Sequence, residues 1–153
     1  MTCCFLMPEG ICFLGKQGSF CYSYAEKKIV RCPLKEKMSV SFPNYAFLYD
    51  EEERKVLVSF YGNGLWWYYP DTGEMTRVPF IHEKHIPSLY LDSSGRIWVA
   101  VYNKGVFCYE HDGRLVEHLT APETLTHNVV QDMREKDGEL WLATDGGGIN
   151  IYN

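Results

Sequence analysis

Hydrophobic and polar residues alternate in short runs along this chain, and turn-forming residues separate the runs every few positions. The run Ile97–Val101 shows the pattern in a special form, because both of its alternating sets are apolar. Ile97, Val99 and Val101 would lie on one face, and Trp98 and Ala100 on the other. A period of two predicts a β-strand, and apolar residues on both sides predict a strand whose two faces are both covered. We therefore predict an all-β protein built from stacked sheets.

The same order of strand, glycine loop and strand occurs four times. In each copy a glycine is followed at the fourth position by a tyrosine, and the glycines are spaced 46, 41 and 43 residues apart. The glycine and tyrosine pairs are Gly18 and Tyr22, Gly64 and Tyr68, Gly105 and Tyr109, and Gly148 and Tyr152. Trp98 and Trp141 occupy the strand before the glycine in the last two copies, where the earlier copies have Leu57 and Cys12.

Each copy has a further apolar run before it, and the first three copies have an alternating run after it. The repeating unit is therefore four short strands over roughly forty residues, which is typical of a β-propeller blade. We predict a propeller fragment of about four antiparallel blades, forming a single partial domain over residues 1–153. The blades are predicted to span approximately residues 3–34, 46–80, 88–120 and 128–153. A β-sandwich whose hairpins resemble one another by accident is the alternative.

The last blade is predicted to lack its outer strand, because nothing after Tyr152 supplies one. This ending suggests that the chain is a piece of something longer. We also expect the uncovered faces of the first and last blades to favour self-association, since a blade cannot bury both of its faces alone.

Composition narrows the class of protein. Apolar residues make up 46% of the chain and aromatic residues 15%, as expected of a folded globular protein. The net charge is -5 without a dense cluster of Lys and Arg, so neither nucleic acid nor an anionic membrane is predicted as a partner. No apolar run is long enough to predict direct insertion into a membrane, and the N-terminus does not have the pattern of a signal peptide.

Candidate chemistry is sparse. The six cysteines form no C-x-x-C pair and are interpreted mainly as core residues, with a disulfide or metal role as the alternative. The segment "HEKH" at residues 82–85 is one residue short of the H-E-x-x-H pattern of zinc enzymes, so it is a weak metal hypothesis. "DGGG" at residues 145–148 is not followed by the lysine of a phosphate loop. We predict no catalytic residue, no cofactor and no metal site.

Residues 125–153 resemble the two-component regulator propeller repeat, whose pattern is roughly L-[ST]-x-N-x-V, an acidic turn, G-x-L-W-[IL]-[AG]-T and G-[LI]-x-x-[YF]. The residues on this pattern are Asn128, Val130, Gly138, Leu140, Trp141, Thr144, Gly148 and Tyr152. Residues 91–109 are a good second match, the Gly64 copy lacks the tryptophan, and the Gly18 copy is degenerate.

In that family the repeats form the periplasmic sensor region of hybrid two-component proteins. These detect oligosaccharides and signal across the inner membrane to a histidine kinase with a fused response regulator. The resemblance thus implies a non-enzymatic, periplasmic glycan sensor, whose partners are further blades and the kinase modules of a membrane-anchored parent. Nothing in this chain resembles the kinase, the receiver or a membrane span. A propeller enzyme of lyase or glycan-processing type is the alternative, as is a fragment that binds nothing without its missing blades.

Blade topology predicts where a ligand would bind. In a four-stranded meander, the loops between the second and third strands open on the same end as the connections from one blade to the next. Aromatic rings with amides and charges there would suit a sugar. The predicted residues are Tyr61, Asn63, Tyr102, Asn103, Lys104 and Asp145 from the loops, and Tyr45, His85 and His127, with Asn44 and Asn128, from the connections. The alternative is that these are ordinary loop residues, and that Asn128 only holds its turn.

Overall fold

The computed structural model describes residues 3–15, 18–34 and 44–153, without the side chains of residues 44 and 45. Within these ranges the chain forms β-strands and turns. The described residues contain no helix long and apolar enough to cross a membrane.

The strands form four separate antiparallel sheets, each a meander of consecutive strands. The first sheet contains β1 (Cys3–Met7), β2 (Gly10–Gly15), β3 (Gly18–Ser23) and β4 (Lys28–Arg31). The second contains β5 (Asn44–Asp50), β6 (Lys55–Phe60), β7 (Gly64–Tyr69) and β8 (Glu74–Arg77). The third contains β9 (Ser88–Leu91), β10 (Ile97–Val101), β11 (Gly105–Tyr109) and β12 (Leu115–Leu119). The fourth has three strands, β13 (Val130–Lys136), β14 (Glu139–Thr144) and β15 (Gly148–Tyr152).

This architecture confirms the predicted fold class, an all-β propeller fragment whose last blade has three strands. The first strands of successive sheets contact one another, β1 with β5, β5 with β9, and β9 with β13. The sheets therefore stack in chain order, with their first strands side by side. Three separate core clusters fill the three spaces between neighbouring sheets.

The repeated tryptophan and tyrosine positions have fixed places in this stack. Trp98 points from the third sheet toward the fourth and packs with Leu140 and Leu142. Tyr152 points back from the fourth sheet, with its ring centroid 5.7 Å from that of Trp98. Tyr68 in the second sheet likewise points back toward the first. Each interface thus combines the tryptophan position of one sheet with the tyrosine of the next.

Strands covered by sheets on both sides are buried along their whole length. Every residue of β6 and of β10 is buried, and for β10 the two apolar sets in its sequence predict this. In β14, Leu140 and Leu142 are buried, whereas Trp141 and Ala143 are exposed. Among the described residues no sheet covers that second face, so the fourth sheet presents an apolar outer surface.

The loop glycines have the conformation that the repeat predicts. Gly64, Gly105 and Gly148 each begin the third strand of their sheet with φ angles of 79°, 82° and 79°. Glycine reaches this left-handed region without the steric cost that a Cβ atom imposes. These residues turn the chain from the second strand into the third and bring the loop residues to one end of the stack.

Candidate functional site

The loops between second and third strands meet the connections between sheets at one end of the stack. The backbone N–H of Gly62 donates to the carbonyl of Lys84 at 3.1 Å, and that of Tyr102 donates to the carbonyl of His85 at 2.9 Å. In the next repeat, Asp145 donates in the same way to Val129 at 2.9 Å. The two loop types therefore lie together, as blade topology predicts. We call this surface the loop end.

Tyr61, His85 and Tyr102 are exposed aromatic residues of the loop end, and we call them the aromatic cluster. The rings of Tyr61 and His85 lie 5.0 Å apart at an angle of 64°. The carbonyl of His85 anchors the backbone of Tyr102, and both tyrosines are 52% exposed. His85 thus links the loop of the second sheet to the loop of the third. Aromatic faces with hydroxyl and imidazole groups can contact an apolar surface and exchange hydrogen bonds with the same ligand.

An ion pair lies beside the aromatic cluster. Lys104 Nζ is 2.8 Å from Glu83 Oε1; the lysine is exposed and the glutamate partly exposed. His118 Nε2 lies 2.8 Å from the carbonyl oxygen of Lys104, which ties the loop to the outer strand of its own sheet. Glu83 was not predicted as a site residue, because in sequence it belongs to a segment interpreted only as a weak metal motif. The ion pair adds charged groups of both signs to this part of the loop end.

The predicted asparagines make local contacts or adopt turn conformations. Asn63 accepts two hydrogen bonds from the guanidinium of Arg77, one on its carbonyl at 3.0 Å and one on its side-chain oxygen at 3.1 Å. Asn103 has a φ angle of 62°, a conformation that asparagine adopts more readily than most residues. The side-chain oxygen of Asn128 accepts from the backbone of Ala121 at 2.7 Å. This bond joins Asn128 to the backbone seven residues earlier, at the start of the connection to the fourth sheet.

Two of the remaining predicted residues, His127 and Asp145, lie near the connection between the third and fourth sheets. His127 Nδ1 accepts from the backbone N–H of Val129 at 3.1 Å, and Asp145 is exposed in the following loop. Both lie where the third sheet connects to the fourth, one repeat beyond the aromatic cluster. The side chains of Asn44 and Tyr45 lie outside the part of the chain that the structure describes.

Comparison with protein families identifies one repeat. Residues 81–103 match the family model of the two component regulator propeller. This match confirms the resemblance predicted from the sequence, and it overlaps the copy at residues 91–109. It runs from the connection that carries His85 through β10 to the loop that carries Tyr102. No curated protein matches the chain.

Comparison with solved structures finds proteins with a similar fold. An extracellular domain of a protein designated a hybrid two component system, from B. thetaiotaomicron, superposes with a TM-score of 0.75 at 20% identity, over 98% of this chain and 21% of that one. A second such domain from the same organism gives a TM-score of 0.68 at 25% identity, over 94% of this chain and 20% of that one. Streptogramin B lyase gives 0.61 at 15% identity, over 99% of this chain and 53% of that one.

These likenesses define the class of protein as a β-propeller fragment that carries a two component regulator propeller repeat. The chain spans about a fifth of the length of the two B. thetaiotaomicron domains. The lyase shares the fold alone, since its identity to this chain is low.

Proposed function

We propose that this chain is part of the ligand-sensing propeller of a hybrid two-component sensor. In this proposal it lies in the periplasm, within a membrane-anchored parent that contributes further blades and the kinase modules. The observation that carries the proposal is the family match at residues 81–103, which includes two members of the aromatic cluster, His85 and Tyr102. The similarity to extracellular domains of two component systems supports the proposed location.

The proposed ligand is an oligosaccharide that binds at the loop end. Tyr61 and Tyr102 are half exposed and offer aromatic faces to the apolar side of a sugar ring. The neighbouring Lys104 and Glu83 can exchange hydrogen bonds with sugar hydroxyls. Because the two tyrosines belong to different sheets, a ligand that contacts both would bridge the second and third blades.

Such a bridge would bias the arrangement of neighbouring blades. The connection between these sheets is held to β6, because the Ser59 hydroxyl donates to the carbonyl of Ile86 at 2.7 Å. His85 directly precedes Ile86 in this connection. Its ring contacts the ring of Tyr61, and its carbonyl accepts a hydrogen bond from the backbone N–H of Tyr102. A ligand that binds one arrangement more tightly shifts the population toward it, which is how binding would become a signal.

Calorimetry with a panel of oligosaccharides tests this proposal. We expect saturable binding by the chain, and a loss of affinity of at least tenfold in Tyr61→Ala and Tyr102→Ala. Tyr24→Ala is the matched control, because Tyr24 is an exposed tyrosine in the turn between β3 and β4. Absence of binding across the panel would contradict the proposed sensing role, and an equal effect of all three substitutions would contradict the proposed surface.

The same incubations distinguish a sensor from an enzyme. We expect each oligosaccharide to be recovered unchanged when the mixtures are separated by chromatography after prolonged incubation. Turnover that is lost in Tyr61→Ala or Tyr102→Ala would replace the sensor proposal with a lyase or glycan-processing activity at the same surface.

A further inference from the structure

Three cysteines of the first sheet converge on one point in its inner face. Cys12 on β2 and Cys21 on β3 are directly opposite each other in the register, and their Sγ atoms are 2.9 Å apart. Cys32 follows β4, and the three Sγ atoms all lie within 4.8 Å of one another. Met7 at the end of β1 places its Sδ 3.5 Å from Cys12 Sγ. We call these four residues the sulfur cluster; three lie on β1, β2 and β3, and the fourth directly follows β4.

Packing residues stand at these positions in the second and third sheets, and the third sheet has one cysteine there, Cys108, opposite Trp98. Cys12 and Cys21 stand where the second sheet has Leu57 and Trp67, both buried in the adjacent core cluster. The sulfur atoms fill less space than those side chains, and a cavity of about 250 Å³ opens beside the cluster. Protein cores are close-packed, so small residues beside a cavity are unusual where packing alone is needed. The sulfur cluster therefore invites an explanation other than core packing.

The ligand chemistry of the cluster is purely that of sulfur. Two carboxylates also line the cavity, those of Glu9 and Asp71, but Arg54 pairs with both, at 2.8 Å from Asp71 Oδ2. Thiolate and thioether ligands select soft ions such as Cu(I). Structural zinc sites instead use four ligands drawn from Cys, His and carboxylate side chains, and a methionine is not among them. Three thiols with a thioether fit monovalent copper better than zinc.

The surroundings hold the cluster in place. The backbone N–H of Cys32 donates to the carbonyl of Ser19 at 2.9 Å, which fixes the segment after β4 against β3. The Tyr68 hydroxyl from the second sheet lies 2.7 Å from Ser19 Oγ and 3.0 Å from the carbonyl oxygen of Pro33. Cys12 and Cys21 are buried, whereas Cys32 is partly exposed and borders the cavity. An ion could therefore enter past Cys32 and reach preorganised ligands.

We propose that Cys12, Cys21 and Cys32 bind a Cu(I) ion, with the thioether of Met7 as an additional ligand. Each thiol that coordinates the ion releases its proton to solvent, and copper stays monovalent throughout. Burial, followed by the hydrogen bond with Cys21, raises the pKa of the Cys12 thiol. This site is on the first sheet and does not depend on the proposed function of the loop end.

Competition with a chromophoric Cu(I) chelator under anaerobic conditions tests the proposal. The full chain should withdraw one Cu(I) per molecule from the bicinchoninate complex, and the double variant Cys12→Ser, Cys21→Ser should withdraw at least tenfold less at the same chelator concentration. Cys108→Ser is the matched control, because Cys108 is buried at the position equivalent to Cys21 in the third sheet. Met7→Leu should weaken binding by a smaller factor than loss of the two thiols.

Several results would overturn the copper site. These are no withdrawal of Cu(I) by the wild-type chain, equal withdrawal by the double variant, or a preference for Zn(II) over Cu(I).

A second measurement needs no variant and covers the case in which the double variant fails to fold. Cu(I) should protect Cys32 from alkylation in the wild-type chain, while the exposed Cys4 outside the cluster continues to react. Equal alkylation of Cys32 with and without Cu(I) would also overturn the proposal.

Discussion

Trp98 and Trp141 occupy the same position of the repeat but have different surroundings. Trp98 is 2% exposed and donates its indole N–H to Asp92 at 2.8 Å, whereas Trp141 is 37% exposed on the outer face of the fourth sheet. We expect Trp98→Ala to lower the free energy of unfolding by about 3–5 kcal/mol, as is usual for a large buried aromatic residue. Trp141→Ala should cost about 1 kcal/mol or less. Urea unfolding measures both, and equal losses would contradict the packing described for the third and fourth sheets.

Asp92 links this tryptophan to the turn before it, and its charge makes stability depend on pH. Burial acts to raise its pKa, but hydrogen bonds from the Trp98 indole and from the Arg96 backbone and guanidinium outweigh burial, so the pKa lies below its usual value. A carboxyl whose pKa is lowered on folding stabilises the protein above its unfolded pKa, which is about 4. That contribution is lost as the pH falls from about 4 through the lower folded value.

Comparison of Asp92→Asn with the wild-type chain tests this pH dependence. At pH 7 the substitution should lower the free energy of unfolding by roughly 1–3 kcal/mol, because it weakens several charge-assisted hydrogen bonds. Below about pH 4 the difference between the two proteins should shrink. Asp137→Asn, in the exposed turn before β14, is the control and should change little at either pH. A constant difference across the range would show that the ionisation of Asp92 does not contribute.

At the scale of elements, alanine substitutions at two loop glycines would distinguish the cost of a strained backbone from the cost of a steric clash. Gly105 and Gly148 have nearly the same φ angle, but a Cβ atom on Gly105 would overlap the carbonyl oxygen of Leu119 in β12. At Gly148 nothing in the described structure lies within 4 Å of such an atom. Gly148→Ala should therefore cost only the strain of a positive φ, about 1–2 kcal/mol. Gly105→Ala should cost clearly more, because β11 and β12 must also separate.

Thermal unfolding of the two glycine variants, followed by circular dichroism, measures this difference. A similar fall in melting temperature for both would mean that the strand pairing tolerates the added atom.

The sequence predicts the strands well, because each repeat supplies several independent signals. Glycine and tyrosine spacing locates the hairpins, and two apolar faces in one strand, as in β10, predict burial between sheets. The place of Trp98 against the next sheet follows from the same pattern. The three-stranded last sheet is also predicted correctly, because it depends only on counting alternating runs. Hydrophobic periodicity can predict these features because it indicates which face of a strand is covered.

The candidate sites were harder to predict, because side-chain partners come from distant parts of the sequence. Asn63 is a predicted ligand-binding residue, and the structure shows both of its oxygens accepting hydrogen bonds from Arg77, fourteen positions later. The sulfur cluster depends on the register of β2 with β3 and on the course of the chain after β4. Cysteine spacing gives no sign of it, since the cluster has no C-x-x-C pair. Register and connections between sheets, rather than local pattern, decide which polar groups meet.

At the scale of the whole molecule, the stack has two apolar ends that match each other. The outer face of the first sheet carries Leu6, Tyr22 and Ile29, which are exposed. The outer face of the fourth sheet carries Trp141, Ile149 and Ile151, which are also exposed. In each of the three internal interfaces, the face of one sheet that carries the tryptophan position of the repeat packs on the face of the next sheet that carries the repeat tyrosine. The outer face of the fourth sheet is of the first kind, and that of the first sheet is of the second kind. The two ends of the chain therefore present complementary halves of an interface that it already makes three times.

We expect these ends to cause head-to-tail self-association of the isolated chain. The reason is that exposed apolar patches of this kind are buried when a partner is present. Sedimentation should show an average mass that rises above the 17.7 kDa of one chain as concentration increases about a hundredfold. The double variant Ile149→Lys, Ile151→Lys should remain monomeric over that range, because lysines on the outer face oppose burial. Leu115→Lys is the control, because Leu115 is an exposed leucine on β12, away from both end faces. This variant should associate like the wild type. A wild-type chain that stays monomeric throughout would show that the end faces do not bind each other.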